Sequence, residues 1–132
     1  MVSRTSARSN LPTWRYYYNA SFPNIHEPGF TTEELRAYHS SDLSVIWGTY
    51  PREKSTEQED ALSKFIQSSW AGFVKDPWGA GPGWGRIDES GNGIACLGCN
   101  GSSGVSIINS DIIDGRCQLY SQRYLTADSP FL

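Results

Sequence analysis

One stretch constrains this chain more than any other. Between Thr56 and Lys75, Leu62, Phe65, Ile66, Ser69, Trp70, Phe73 and Val74 return at spacings of three and four, the signature of a helix with one apolar face. Lys64, Gln67 and Lys75 fall on the other faces. Thr56 and Glu59 have the spacing of a capping box, and Asp76-Pro77 stops the helix. Such a helix is stable only when its stripe is buried. Little else in the chain offers a broad complementary face, so much of the stripe's partner is expected to lie outside these residues.

The flanks are read more coarsely. Residues 1–11 are a helix remnant or a frayed tail. Trp14-Arg15-Tyr16-Tyr17-Tyr18 is dense in β-formers and is expected to be a buried strand. Pro23, Pro28 and Gly29 make residues 21–32 a loop. Thr32 is expected to cap a short helical turn. Leu43 to Trp47, ended by Gly48, fits a short helix or a strand. Residues 78–104 are so dense in glycine that they read as loop, and Val105 to Ile108 as a short strand. Residues 111–125 form a mixed segment before a polar end.

Composition narrows the function classes. The 132 residues are 38% hydrophobic and 19% charged, which is globular rather than disordered. The net charge of -3 gives no basic surface for phosphates, so nucleic acid is not an expected partner. Arg4, Arg8 and Arg15 are the one positive cluster and read as a solvated tail. No apolar run approaches the roughly 20 residues of a membrane span. The first fifteen residues lack the apolar centre of a signal peptide. Asn19-Ala20-Ser21 and Asn100-Gly101-Ser102 are glycosylation triplets, so Asn19 and Asn100 are candidate acceptors. Triplets without a leader make sense if the natural N-terminus lies upstream.

Most candidate chemistries fail on inspection. The glycine region lacks both phosphate-loop spacings. Cys96-Leu97-Gly98-Cys99 could reach four zinc ligands only with Cys117, His26 and His39, at irregular spacing, so no metal is expected. A disulfide, local or long-range, is the better reading of these cysteines in an exported chain. No G-x-S-x-G nucleophile turn occurs. Gly101-Ser102-Ser103-Gly104 comes near, but Val105 occupies the last glycine position. His26 reads as an exposed loop residue. His39, with Asp42 three residues on, is a weak general-base candidate on its own.

Context strengthens it. Thr13 to Asn24 resembles the late strand and loop of type-B, cholinesterase-like carboxylesterases, particularly secreted fungal ones. Ala37-Tyr38-His39-Ser40-Ser41-Asp42-Leu43 and Val45-Ile46-Trp47-Gly48-Thr49-Tyr50-Pro51 are similar to that family's catalytic-histidine loop. The helix from Gln58 to Phe73, with Gly81-Pro82-Gly83-Trp84 after it, looks like the family's last long helix and its turn. Gly98 to Val105 and Asp114 to Tyr120 look like its tail. The resemblance runs over about residues 12–124, in the family's order.

The resemblance implies an α/β fold: the C-terminal portion of an α/β-hydrolase, incomplete as a domain. One partial unit, 1–132, would comprise strand, histidine loop and helix over 12–77 and a Gly-rich tail over 78–132. It implies that His39 is the general base of a Ser-His-acid triad and that Asp42 supports the loop rather than serving as triad acid. Cys117 matches a familiar tail cysteine and is a disulfide candidate, its implied partner lying in the missing part, whereas Cys99 stands where glycine is expected. No cofactor is implied. The expected partners are a small ester or lipid substrate and the upstream part of the same domain, and the location implied is extracellular. Two other readings stand beside it: a degenerate inactive remnant, and a small extracellular binding module stacking ligands on Trp78 and Trp84. Alone, a late strand, a helix and glycine loops are expected to bury too little apolar area to fold.

Overall fold

The computed structural model describes residues 2–117. In chain order these form α1 (Val2–Arg8), β1 (Tyr16–Tyr18), α2 (Thr32–Leu35), α3 (Ser41–Trp47), α4 (Glu57–Lys75), β2 (Ile94–Leu97), β3 (Val105–Ile108) and α5 (Asp111–Asp114). The three strands make one mixed sheet in the order β1-β2-β3. β1 runs parallel to β2, with Tyr16 opposite Ala95 and Tyr18 opposite Leu97. β3 returns antiparallel, pairing Ile94 with Ile108 and Leu97 with Val105. A parallel pair needs a long crossover, and α2, α3 and α4 supply it.

β2 corrects the expectation that residues 78–104 are loop. All four of its residues are fully buried, and it is the middle strand. A short apolar run bounded by Gly93 and Gly98 is the pattern of a strand covered on both faces. The surrounding glycines mask it. Gly98 is required where it stands. Its φ is +78°, and a Cβ would lie 2.4 Å from Ala20 Cβ. Gly98→Ala is expected to cost about 2–4 kcal/mol, from left-handed strain plus overpacking. Chemical denaturation of the two chains would measure it, and an unchanged midpoint would contradict the close approach.

β1 is an edge strand, not the buried one expected. Tyr16 and Tyr17 are 41% and 38% exposed. Its single neighbour in the sheet is β2, so its outer hydrogen-bonding edge is unpaired among the described residues.

The long helix follows the sequence pattern. Thr56 caps it, its side chain accepting from Glu59 N at 3.1 Å. Leu62 and Ile66 are fully buried and join Val45 and Ile46 of α3, Ala95 and Leu97 of β2, and Ala20, Phe22 and Trp84 in one core. Ser63 faces α3 and donates to Val45 O at 2.7 Å. The C-terminal part of the stripe is not covered: Phe73 is 40% exposed and Val74 76%. Trp70 instead meets Tyr16 edge-on at 5.1 Å, and Phe73 meets Trp14 at 5.6 Å. With Pro82 and Trp84 these rings enclose an apolar cavity of about 220 Å³.

Smaller corrections concern caps and ends. Thr31, not Thr32, caps α2. Its hydroxyl accepts from Glu34 N, while Glu34 accepts from Thr31 N at 2.8 Å, a complete capping box. Leu43 to Trp47 is helical, closed by Gly48 in the left-handed region (φ +64°). Arg15 forms a two-pronged ion pair with Asp114, tying α5 to the start of β1. Trp84 lies in the core, which removes it as a stacking surface for a binding module; Trp78 stays exposed. The expected segment beyond residue 117 lies outside the described residues.

Candidate active-site loop

The segment carrying His39 is short and held at both ends. After Leu35 the chain passes through Arg36 (φ +52°) and turns again at Ser40 (φ +69°). Left-handed backbone at non-glycine residues costs about 1–3 kcal/mol each and persists only where surrounding contacts impose it. Here Ser41, which is buried, supplies them. Its N–H and its hydroxyl both donate to Tyr38 O, at 3.1 and 2.8 Å. Leu43 N donates to Ser40 O. His39 therefore sits at the apex of a locked turn, with its ring exposed. No hydrogen bond to that ring forms among the described residues.

Asp42 lies in the first turn of α3 and accepts a hydrogen bond from Tyr16 Oη at 3.2 Å. The contact joins the histidine turn to β1. Burial first, and then the charge of Asp42, pushes the Tyr16 hydroxyl above the usual phenol range. Tyr18 is raised more strongly, chiefly by burial. Both hydroxyls therefore remain protonated donors, and Tyr16 can hold Asp42 across the working pH range of most proteins.

The other candidates fall elsewhere. His26 is exposed, its Nδ1 3.4 Å from Glu27 O, on the rim of a groove of about 390 Å³ with Tyr38, Ser41 and Trp47. Ser102 accepts from Gly104 N in a local turn. Among the described residues no group of three or more His, Cys, Asp and Glu side chains could hold a metal ion. Cys96 and Cys99 form a local disulfide beside Gly98, and Cys117 is an exposed free thiol. Asn19 and Asn100 are both exposed, and Asn19 Nδ2 lies 3.8 Å from Cys99 Sγ.

Sequence reasoning missed one feature beside this loop. Glu59 is fully buried, and its carboxyl accepts from Asn24 Nδ2 at 3.1 Å. Asn24 also donates to Pro51 O at 2.6 Å. The signal was available: Glu59 stands three residues before Leu62 and seven before Ile66, on the buried face of α4.

No family model matches the chain. Individual proteins do. Liver carboxylesterase 1 of Mus musculus is 33% identical over 95 residues, which are 67% of this chain and 16% of that protein. Chlorogenic acid esterase of Aspergillus niger is 39% identical over 72 residues, 52% of this chain and 13% of the esterase. Secreted lipase 5 of Gibberella zeae is 33% identical over 76 residues, 57% of this chain and 14% of the lipase. Among solved structures, an esterase from Clostridium hathewayi that can hydrolyse aliphatic aromatic polyesters superposes with a TM-score of 0.63. The superposition covers 91% of this chain and 23% of that one at 17% identity, a likeness of fold alone. The chain is thus carboxylesterase-like in sequence, and its small mixed sheet with helices shares the fold of part of that esterase. It spans about a sixth or less of the length of these curated relatives.

Proposed function

We propose that this chain is the histidine-bearing portion of a serine carboxylic-ester hydrolase, with His39 as the general base of its triad. The observation that carries the reading is the His39 turn: a ring exposed at the apex of a strained, doubly bonded turn. Strain of this kind concentrates at functional sites. In the reaction the imidazole would take the proton of a serine hydroxyl as its oxygen attacks the ester carbonyl. It would then return that proton to the leaving alcohol, and water would clear the acyl-serine by the same route. The serine, the triad acid and the oxyanion donors would come from residues other than these. Asp42 is engaged by Tyr16 and would hold the turn rather than orient the ring.

The same reading accounts for the unpartnered surfaces. The open edge of β1, exposed Phe73 and Val74, and Trp47 at 71% exposure would meet the remainder of the hydrolase domain. The substrate class is a small ester or lipid. An extracellular setting is supported by the name of the Gibberella zeae relative, by the Cys96–Cys99 disulfide, and by the exposed asparagines Asn19 and Asn100 of the two triplets as glycan acceptors. Cys117 would pair with a cysteine of the remaining domain.

The test is a chimera in which this chain replaces the matching segment of the Aspergillus niger esterase. The chimera is expected to hydrolyse a short-chain nitrophenyl ester, while the 132-residue chain alone shows no turnover above its His39→Ala version. A folded chimera no more active than its own His39→Ala form would overturn the assignment and favour an inactive remnant.

A further inference from the structure

Two oxygen atoms in the interior have no hydrogen-bond partner although the residues that carry them are bonded to each other. They are Asn24 Oδ1 and Glu59 Oε2, both shut off from solvent. Asn24 Nδ2 donates to the other carboxyl oxygen, Glu59 Oε1, at 3.1 Å. An amide oxygen and a carboxylate oxygen are both acceptors, so neither can satisfy the other as they stand. A buried acceptor left without a donor costs about 1–3 kcal/mol, and more when charged. One proton placed on Oε2 would supply the missing donor: with that O–H turned to Asn24 Oδ1 and the amide N–H on Oε1, the pair would close a ring of two parallel hydrogen bonds.

We propose that Glu59 is held as the neutral acid in a cyclic pair with Asn24, and that this pair positions the segment bearing His39. The second half rests on the role proposed for His39. Asn24 and Pro51 bracket that segment in sequence, and the Asn24 Nδ2 to Pro51 O bond joins its two ends directly. Glu59, in the first turn of α4, anchors Asn24 from the helix side. The pair is thus the clasp of a closed loop containing α2, the histidine turn and α3.

The electrostatics agree. Burial raises Glu59 above the usual carboxyl range, Asp60 adds to the rise, and Asn24, the Thr56 backbone and Arg52 oppose it. Tyr18 on β1 also feels Glu59, and it is itself raised and therefore neutral. The sign follows. A carboxyl whose folded-state pKa lies above its unfolded value binds more protons in the folded chain. Its contribution is complete below the ordinary carboxyl range and is lost as pH rises through the folded value.

The experiment uses the folded chimera and compares it with its Glu59→Gln form, whose amide reproduces the neutral acid, and with its Glu59→Ala form. Relative to Glu59→Gln, the folding equilibrium constant of the parent should fall by up to about tenfold per pH unit through that window. Glu59→Gln should keep the stability seen at low pH, whereas Glu59→Ala should lose it at every pH. Infrared spectra of the chimera labelled with 13C in its glutamates should show, at a pH just above the ordinary carboxyl range, a carboxylic-acid carbonyl band that is lost in Glu59→Gln. Equal pH slopes for parent and Glu59→Gln would overturn the pairing, as would an ionised Glu59 bridged to Asn24 by a buried water. In the active chimera, Glu59→Gln should retain kcat and Glu59→Ala should lower it. Equal kcat in both would remove the positioning role while leaving the paired acid intact.

Discussion

In the chimera, His39→Ala is expected to lower kcat by about 10⁴- to 10⁶-fold, the usual cost of deleting a member of a serine triad. Without the imidazole nothing accepts the serine proton, and the residual rate comes from binding and the oxyanion donors. Stability should barely move. The ring is exposed and unbonded among the described residues, and the turn is held by Ser41 and Tyr38 rather than by the imidazole. Surface substitutions of this kind stay within about 0.5 kcal/mol. The prediction is therefore a split, with kcat collapsing and the denaturation midpoint unchanged. A comparable loss in both would mean that His39 is structural.

Leu62→Ala should do the reverse. Leu62 is completely enclosed where α4 meets α3 and the sheet. Removing its branched end forfeits the transfer energy and leaves a cavity, for about 2–5 kcal/mol. Folded proteins have only about 5–15 kcal/mol in total, so the unfolding midpoint should fall clearly. Calorimetry of the folded chimera would measure it. A shift under about 1 °C would mean that the helix does not dock as described. Lys64→Ala is the internal control, since Lys64 is exposed on another face of the same helix.

These two residues show how differently fold and site can be read from a chain of letters. Leu62 is visible from spacing alone, because a cap at Thr56 and a stripe of period near 3.6 define both the helix and its inward face. β2 was hidden, although Ile94 to Leu97 is a plain apolar run, because the glycines around it suggested an irregular connection. The same glycines serve close packing, as Gly98 does against Ala20. The edge position of β1 could not be read either, since a tyrosine-rich strand looks alike with one neighbour or two. His39 has only a weak local signature, an acid three residues on at Asp42. Its turn depends on a left-handed Ser40 that no propensity favours, and it took the resemblance to strengthen the assignment. Glu59 lies on the buried helical face, but its spacing from Thr56 reads first as a capping box, which masks the burial of its carboxyl because carboxylates are mostly exposed.

The sheet's connectivity also sets a schedule. β1 pairs with a strand encoded roughly eighty residues later, which at about 5–20 residues per second leaves it unmatched for several seconds during translation. Throughout that interval Tyr16, Tyr17 and Tyr18 form an aromatic ribbon that lacks its β2 neighbour and is bare along that margin. Contacts so distant along the chain also fold slowly. The waiting ribbon, rather than the finished core, is then where a nascent chain is most exposed to capture by chaperones or by its own neighbours.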